Sequence, residues 1–209
     1  MRAKLLRYTV IPICAVILIA AQTAHASCDD RRAPGIDWSG CKKTNKMLDD
    51  SDFTGVRMVK TDMTRSSATS SRFDNADLTK AVGYRANFDR VKLTNTIMTK
   101  SEFYRASFKK AKIKDVDWSR AELGRVDFSG AKLENVSFVF SNLSRANFDK
   151  ADLSGVDFEG AYTYLTHFES LDLRRVQNLT QIQIDLSCGN LETRLPAGRW
   201  IPDTWPCIE

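Results

Sequence analysis

The sequence predicts an all-β fold, a solenoid whose chain turns a corner every five residues. Small residues occupy all 24 positions reached in steps of five from Ser51 to Thr166. Two places further on, in the series from Phe53 to Phe168, a large apolar residue stands at 21 of 24 positions. The exceptions are Ala68, Gly83 and Thr163. A period of five suits neither a helix with 3.6 residues per turn nor an alternating strand with a period of two.

A slower period gives the size of one coil. An inward Phe recurs at Phe88, Phe108, Phe128, Phe148 and Phe168. A corner Arg recurs at Arg65, Arg85, Arg105, Arg125 and Arg145. Both series step by twenty, so four five-residue repeats make one coil. Residues twenty apart then lie about 4.8 Å from each other in neighbouring coils, which lets the Phe rings stack. Seven coils fit between Ile36 and Arg175, a rod about 30 Å long.

The repeats resemble the A-(D/N)-L-x-x motif of the pentapeptide-repeat family. Segments 76–80 and 146–150 have the sequences Ala-Asp-Leu-Thr-Lys and Ala-Asn-Phe-Asp-Lys. The resemblance covers residues 36–176 and implies a right-handed quadrilateral β-helix. The flanks, Pro34 to Cys41 and Leu179 to Pro196, are similar to those of a secreted Gram-negative subgroup of the family.

The first 26 residues are typical of a secretory signal peptide. The basic start contains Arg2, Lys4 and Arg7. An apolar run over 10–21 follows, and Ala24-His25-Ala26 supplies a small-x-small cleavage site. The run is short for a bilayer span, so we expect cleavage between Ala26 and Ser27 and a periplasmic or secreted protein without a transmembrane span. An uncleaved membrane anchor is the alternative.

The mature chain is expected to have a cap at each end of its β-helix. The predicted divisions are an N-terminal cap segment at 27–35, the β-helix at 36–176 and a C-terminal cap at 177–209. In the last of these, Thr180 is predicted to N-cap a short helix that runs through Leu186, with Gly189 ending it. The residues expected to face the last coil are Leu179, Ile182 and Leu186. Trp200 and Trp205 are expected in an irregular packed tail.

Four cysteines follow the signal peptide, two near each end. They are Cys28, Cys41, Cys188 and Cys207. An even count in an exported chain indicates two disulfides. Pairing across the rod would bridge about 30 Å, whereas disulfide Cα atoms lie within about 7 Å, so we predict Cys28–Cys41 and Cys188–Cys207. Metal binding is the alternative for these thiols, but C-x-x-C spacing is absent, and no metal or cofactor is expected.

The basic residues are arranged in rows along the predicted rod, whereas the net charge of the mature chain is small. The chain has 31 Lys and Arg against 26 Asp and Glu, and three of the basic residues belong to the signal peptide, which leaves a mature net charge of +2. This balance does not indicate a nucleic-acid partner. The lysine row contains Lys60, Lys80, Lys100 and Arg120. The arginine row contains the five corner Arg residues named above, with Tyr84, Tyr104 and Tyr164 beside it. Evenly spaced Arg with Tyr predicts binding of an anionic polymer, lipopolysaccharide phosphates or an acidic protein.

A solvated face is the competing interpretation, with Glu102 and Glu122 offsetting the repulsion at Arg105 and Arg125. Catalysis has little support, because His167 is the only mature histidine and the Asp residues follow the repeat. The predicted function is an exported, non-catalytic scaffold or interaction protein that binds along its side. The alternative is a structural or stress-related envelope protein without a defined ligand.

The family resemblance implies one further function, because some members resemble duplex DNA and protect gyrase from quinolones. Such mimicry needs an acidic cytoplasmic surface, so we do not expect it of an exported chain with basic rows. Gly83 stands where a large apolar side chain is due. It indicates either a local packing adjustment or a shallow notch used for recognition.

Overall fold

The computed structural model describes residues 27–207, and within them the chain forms a β-helix of short parallel segments. Bridges join residues twenty apart, from the pair Asp37–Arg57 to the pair Asp157–Gln177. One side has regular strands: β1 is Lys92–Thr94, β2 is Lys112–Lys114, β3 is Lys132–Glu134 and β4 is Asp152–Ser154. They form a parallel sheet in the order β1-β2-β3-β4. The predicted all-β fold and its period of twenty are confirmed, whereas the predicted signal peptide lies outside the described residues.

The corners follow from backbone hydrogen bonds. At most corners, the small residue of one repeat donates its backbone N–H to the carbonyl of the large residue three places earlier. The N–H of Ala131, for example, donates to the carbonyl of Phe128 at 2.9 Å. The residue just before the small one has a positive φ, 57° at both Arg65 and Arg125, which the third position of a type II turn requires. Its own N–H donates to the next coil, from Arg65 to the carbonyl of Tyr84 at 2.9 Å. Each corner is therefore closed within its coil and bonded to the next one.

The interior contains the predicted column of Phe rings. Centroids of Phe88 and Phe108 lie 5.2 Å apart, and those of Phe128 and Phe148 lie 5.1 Å apart. The column ends at Phe168, 5.7 Å from Phe148, and its members are fully buried. These separations fall in the favourable range for offset aromatic pairs. Each ring contributes about 1.5–3 kcal/mol by leaving water.

Gly83 makes room for a neighbouring ring. A Cβ built on Gly83 would lie 2.3 Å from a ring carbon of Phe103 in the next coil. Phe103 is fully buried, so its ring fills the inward space that a side chain at position 83 would otherwise occupy. Of the two interpretations of Gly83, the structure supports a packing adjustment and not a notch.

Hydroxyl groups at the small positions bind the preceding coil. Thr61 Oγ1 donates to the carbonyl of Trp38 at 2.6 Å, and Thr96 Oγ1 donates to that of Phe73 at 2.7 Å. Both hydroxyls are buried, where an unpaired polar group would be costly. The choice of Ser or Thr over Ala at some inward positions therefore adds hydrogen bonds between coils.

The N-terminal end has the predicted Cys28–Cys41 disulfide, with Cα atoms 5.4 Å apart. Lys43 occupies the inward position of this first coil, where a large apolar residue stands in later coils. Its Nζ donates to the carbonyl of Cys28 at 2.6 Å and lies 3.5 Å from the ring centroid of Trp38. Burial lowers the pKa of Lys43. The cap segment and the first coil are thus joined by a covalent bond and by a hydrogen bond from the buried Lys43 side chain.

The C-terminal end has the single helix of the described residues, α1, at Gln181–Leu186. Thr180 caps it as predicted, since its hydroxyl accepts from the N–H of Gln183 while the Gln183 side chain accepts from the N–H of Thr180. Within residues 27–207 there is no helix with the length and apolar composition needed to cross a membrane.

The face that α1 turns to the last coil differs from the prediction. Leu179 is buried as expected, but Ile182 is 73% exposed and Leu186 is 37% exposed, and the buried pair is Gln183 and Ile184. The reason is chemical: Gln183 Nε2 donates to two carbonyls at the open end of the β-helix, those of Phe158 at 2.7 Å and Ala161 at 2.9 Å. The Phe158 carbonyl also accepts from the N–H of Ala161 at 3.0 Å, so an apolar side chain would leave the Ala161 carbonyl as the unpaired acceptor.

The tail is held by the predicted Cys188–Cys207 disulfide, with Cα atoms 5.4 Å apart. Trp205 is buried, and its Nε1 donates to the carbonyl of Ser187 at 2.7 Å. Gly189 packs under the Trp205 ring, since a Cβ there would lie 2.1 Å from it, whereas the helix ends earlier, at Leu186. Trp200, expected to pack, is 62% exposed.

Truncating the Phe column should destabilise the fold strongly. We expect Phe128→Ala to lower the free energy of unfolding by about 3–5 kcal/mol, because it removes a fully buried ring and leaves a cavity between coils. Phe140→Ala is the matched control, since Phe140 is 58% exposed and should cost about 1 kcal/mol or less. Urea unfolding with both disulfides intact measures the difference. Equal costs for the two variants would contradict the role assigned to the column.

Replacing Gln183 by the apolar residue that a helical pattern favours should also destabilise the fold. Gln183→Leu keeps the volume but removes both hydrogen bonds and leaves the Ala161 carbonyl unpaired, so we expect a loss of about 1–3 kcal/mol. Ile182→Gln, on the exposed face of the same helix, serves as the control and should change stability by about 0.5 kcal/mol or less. Thermal unfolding measures the difference. If the cap supplied only hydrophobic contact, Gln183→Leu would leave the stability unchanged.

Candidate anion-binding face

The two predicted basic rows border the same side of the β-helix. Turns at 59–60 and 64–65 place Lys60 at one corner and Arg65 at the next, with a short bridging segment between them. The same arrangement recurs every twenty residues, because the segments pair in parallel register. The residues in register at the centre of this side are Asp62, Val82, Glu102, Glu122, Asn142 and Tyr162. We call this side, with the lysine row at one edge and the arginine row at the other, the basic face.

The cations of both rows are exposed. Within residues 27–207, no carboxylate lies within 4.0 Å of any of them. Glu122 instead accepts a hydrogen bond from Asn142 Nδ2 at 2.9 Å. Glu102 and Glu122, which the solvated-face interpretation included as offsets to the arginine row, therefore form no ion pair with it.

Tyrosine rings support the arginine row. Tyr84 and Tyr104 are stacked, with centroids 6.1 Å apart and planes 3° from parallel. The guanidinium carbon of Arg85 lies 5.2 Å from the Tyr84 centroid, and that of Arg105 lies 5.6 Å from the Tyr104 centroid. These are cation–π distances, so the rings orient the guanidinium groups and still leave them open to solvent.

Gly124 gives the Tyr104 ring its place. A Cβ at Gly124 would lie 2.8 Å from Cδ2 of Tyr104, so the ring reaches across the surface of the following coil. Further along the row, Arg145 lies 5.6 Å from the centroid of Tyr164, which stacks with Tyr162 at 6.2 Å. Tyr162 was not among the predicted site residues, although its position twenty residues after Asn142 places it on this face.

A third basic row was missed by the sequence analysis. This strand row contains Arg72, Lys92, Lys112 and Lys132. Strands β1 to β3 hold Lys92, Lys112 and Lys132 in register. The same spacing of twenty that revealed the arginine row could have identified it.

The strand row differs from the basic face because it is partly neutralised. Asp74 Oδ2 accepts from Arg72 at 2.8 Å and from Lys92 at 3.0 Å. Burial alone would raise the pKa of Asp74, but these hydrogen bonds outweigh it and hold the pKa below its usual range. On the same side, Lys114 pairs with Glu134 at 2.7 Å.

The recurring acidic residues serve the turns. Asp62 accepts the N–H of Thr64 at 2.9 Å, and Asp117 accepts that of Ser119 at 2.8 Å. At Asp52, the hydroxyl and N–H of Thr54 both donate, which lowers the pKa of this carboxyl group. The spacing of the acids, attributed to the repeat in the sequence analysis, is thus explained by local hydrogen bonds.

His167 forms part of a small cluster with Glu169 and Cys188. Its Nδ1 lies 3.0 Å from Glu169 Oε1. The sulfur of Cys188 is bonded to Cys207 and is not available as a ligand. The cluster therefore keeps only two donors, fewer than the three or four protein ligands of zinc sites.

Comparison with known proteins agrees with the repeat register. The family model described as "Pentapeptide repeats" matches residues 48–82, 85–119 and 121–160 in eight copies. No curated protein matches the sequence.

Two solved structures of low sequence identity share the fold. One trypsin-treated variant of QnrB1, a plasmid-mediated fluoroquinolone resistance protein, is 18% identical with a TM-score of 0.68, over 80% of this chain and 83% of that one. A second such variant is 19% identical with a TM-score of 0.58, over 81% and 86%. HetL, a pentapeptide repeat protein involved in heterocyst differentiation regulation from the cyanobacterium Nostoc, is 18% identical with a TM-score of 0.29, over 83% and 92%. At these identities the first two similarities show a common fold and no more.

Proposed function

The chain belongs to the pentapeptide-repeat family, and from this membership and its basic face we propose that it is an exported, non-catalytic scaffold that binds an anionic partner along its side. One observation carries the proposal: two rows of exposed cations flank one face, and no carboxylate in residues 27–207 pairs with them. Like charges at a spacing of about 4.8 Å repel by close to 1 kcal/mol each even in water, and an anionic partner relieves this repulsion.

A non-catalytic role agrees with how the polar residues are used. The acids of the repeat accept turn hydrogen bonds, and His167 pairs with Glu169 at the rim of the C-terminal cap. The basic face has cations and aromatic rings but no nucleophile with an adjacent base. Its chemistry is that of recognition.

Export is supported by the two disulfides and by the signal-like first 26 residues. Disulfides persist in oxidising compartments such as the bacterial periplasm. A role like the resistance named for QnrB1 is not favoured, because that similarity extends to the fold alone and this chain presents basic rows.

Removing charge from the arginine row should weaken binding to anionic envelope material. We expect the triple variant Arg85→Gln, Arg105→Gln, Arg125→Gln to lose about tenfold or more in affinity for vesicles containing lipopolysaccharide, with steep salt dependence in the parent protein. Sedimentation of protein with vesicles measures the bound fraction.

The matched control replaces Lys92, Lys112 and Lys132 by Gln, which removes the same charge at the same spacing from the strand row. Equal losses in both variants would indicate unspecific attraction. If the triple Arg→Gln variant unfolds like the parent protein and binds the vesicles with the same affinity, the proposed anionic partner is contradicted and a structural envelope role is favoured.

Export should be visible in the mass of the protein. Expressed from its full sequence in a Gram-negative host, the protein should appear in the periplasmic or extracellular fraction with Ser27 at its N-terminus and no free thiols. Intact-mass spectrometry before and after alkylation checks both points. A reduced protein that retains Met1 in the cytoplasm would refute this part of the proposal.

A further inference from the structure

We propose that the C-terminal cap contains a zinc site that forms when the Cys188–Cys207 disulfide is reduced. Its four ligands are the two freed thiolates, a ring nitrogen of His167 and the carboxylate of Glu169. The disulfide and the metal ion are then alternative cross-links for the same cap. The site shares no residue with the basic face, so it does not depend on the anionic partner proposed above.

Three of the four donors already lie together in the oxidised protein. The Cys188 sulfur, a ring nitrogen of His167 and a carboxylate oxygen of Glu169 all lie within 4.8 Å of one another. The fourth donor, the Cys207 sulfur, is bonded directly to the Cys188 sulfur. Within residues 27–207, no other group of three His, Cys, Asp or Glu side chains meets this distance. Reduction of one bond therefore turns a cluster with two available donors into a cluster with four.

The backbone fixes two of these ligands relative to each other. His167 and Cys188 pair in parallel register as neighbouring segments of the β-helix. The N–H of Cys188 donates to the carbonyl of Thr166 at 2.8 Å, and the N–H of Phe168 donates to the carbonyl of Cys188 at 2.8 Å. Neither bond involves the sulfur, so reduction leaves both in place. Ligands held on paired segments lose little conformational entropy when they bind a metal ion.

The donor set selects zinc among the common metal ions. Thiolate and imidazole are the usual ligands of structural zinc sites, which are four-coordinate and tetrahedral. Ca²⁺ and Mg²⁺ take oxygen ligands, and this cluster offers them a single carboxylate. His167 Nδ1 and Glu169 Oε1 lie 3.0 Å apart. Two ligand atoms about 2.1 Å from zinc at a tetrahedral angle are about 3.4 Å apart, so this pair needs little movement to bind one ion.

The redox step is thiol–disulfide exchange with a dithiol reductant, and it begins at Cys207. Cys207 is partly exposed, whereas Cys188 is buried. A thiolate of the reductant attacks Cys207 Sγ, and Cys188 Sγ leaves as a thiolate. The second thiol of the reductant then displaces Cys207, so two electrons pass to the protein and the reductant becomes a disulfide. Zn²⁺ binds the two protein thiols as thiolates and releases two protons.

The N-terminal disulfide supplies a matched control. Cys28 and Cys41 have the same Cα separation as the C-terminal pair, 5.4 Å. They lack an imidazole, because His167 is the only histidine after the first 26 residues. Once reduced, this pair offers two thiolates without a nitrogen ligand, so we expect it to bind zinc at least about tenfold more weakly than the C-terminal pair.

The test titrates zinc into the protein expressed from its full-length sequence, purified with both disulfides formed and then reduced with a phosphine, which does not compete for the metal as a dithiol does. Competition with a chromophoric chelator should show one tight site per chain, at least about a hundredfold stronger than in the oxidised protein. Co²⁺ in place of zinc should give the thiolate charge-transfer and visible bands of a tetrahedral site. Zinc should also raise the melting temperature of the reduced protein.

Variants assign the ligands. His167→Gln and Glu169→Gln should each lower the zinc affinity of the reduced protein by about tenfold or more, because each removes one ligand. The double variant Cys188→Ser, Cys207→Ser should lose the tight site. The matched double variant Cys28→Ser, Cys41→Ser should keep its affinity within about twofold, since it leaves all four ligands in place. Circular dichroism of each reduced variant checks that the β-helix is folded.

A tight site that requires both cysteines of the C-terminal pair, His167 and Glu169 supports the proposal. Zinc binding of equal strength in His167→Gln and Glu169→Gln overturns it, because the thiolates alone would then account for the affinity. Reduced protein that binds zinc no more tightly than oxidised protein also overturns it. So does a reduced protein that unfolds and gains no stability from zinc, since the site requires the paired segments of the folded cap.

Discussion

Backbone hydrogen bonds between residues about twenty apart are the constraint on which the rest of the molecule depends. They set the distance between coils and fix their register, so every side chain lies beside its equivalents one coil before and after. Inside, this produces the Phe column, and outside it produces the basic rows. The even spacing of the candidate ligand face is therefore a property of the backbone. Side chains decide only which chemistry is repeated.

The same constraint explains what could be predicted from sequence. A period that holds without insertion identifies inward positions one by one, so the Phe column and the two disulfides followed from position alone. Where the period ends, the prediction was wrong. Gln183 faces the last coil because the open end presents carbonyl groups, and apolar patterning does not register that need. At the other end Lys43 is an inward cation whose ammonium group contacts a carbonyl and an indole ring, and no prediction had been made for it.

The strand row was missed for a different reason. Its members stand at the position where the family motif has Asp or Asn, so they look like ordinary variation within the repeat. Asp74 neutralises part of that row, whereas the arginine row keeps its charge, and this distinction depends on which outward positions share a side. Position along a coil can be read from sequence. Pairing between neighbouring side chains requires their rotamers, and those follow from packing.

Both disulfides lie at the ends, and this placement has a kinetic consequence. In a linear array each coil contacts only its neighbours, so opening proceeds inward from a terminus, where the fewest contacts are lost. Cross-links at Cys28–Cys41 and Cys188–Cys207 close the two places at which such fraying would start. Each bridge holds a cap on its terminal coil, so the cap cannot detach before that coil opens. A rod whose ends open slowly resists proteases, because cleavage then waits for the opening step.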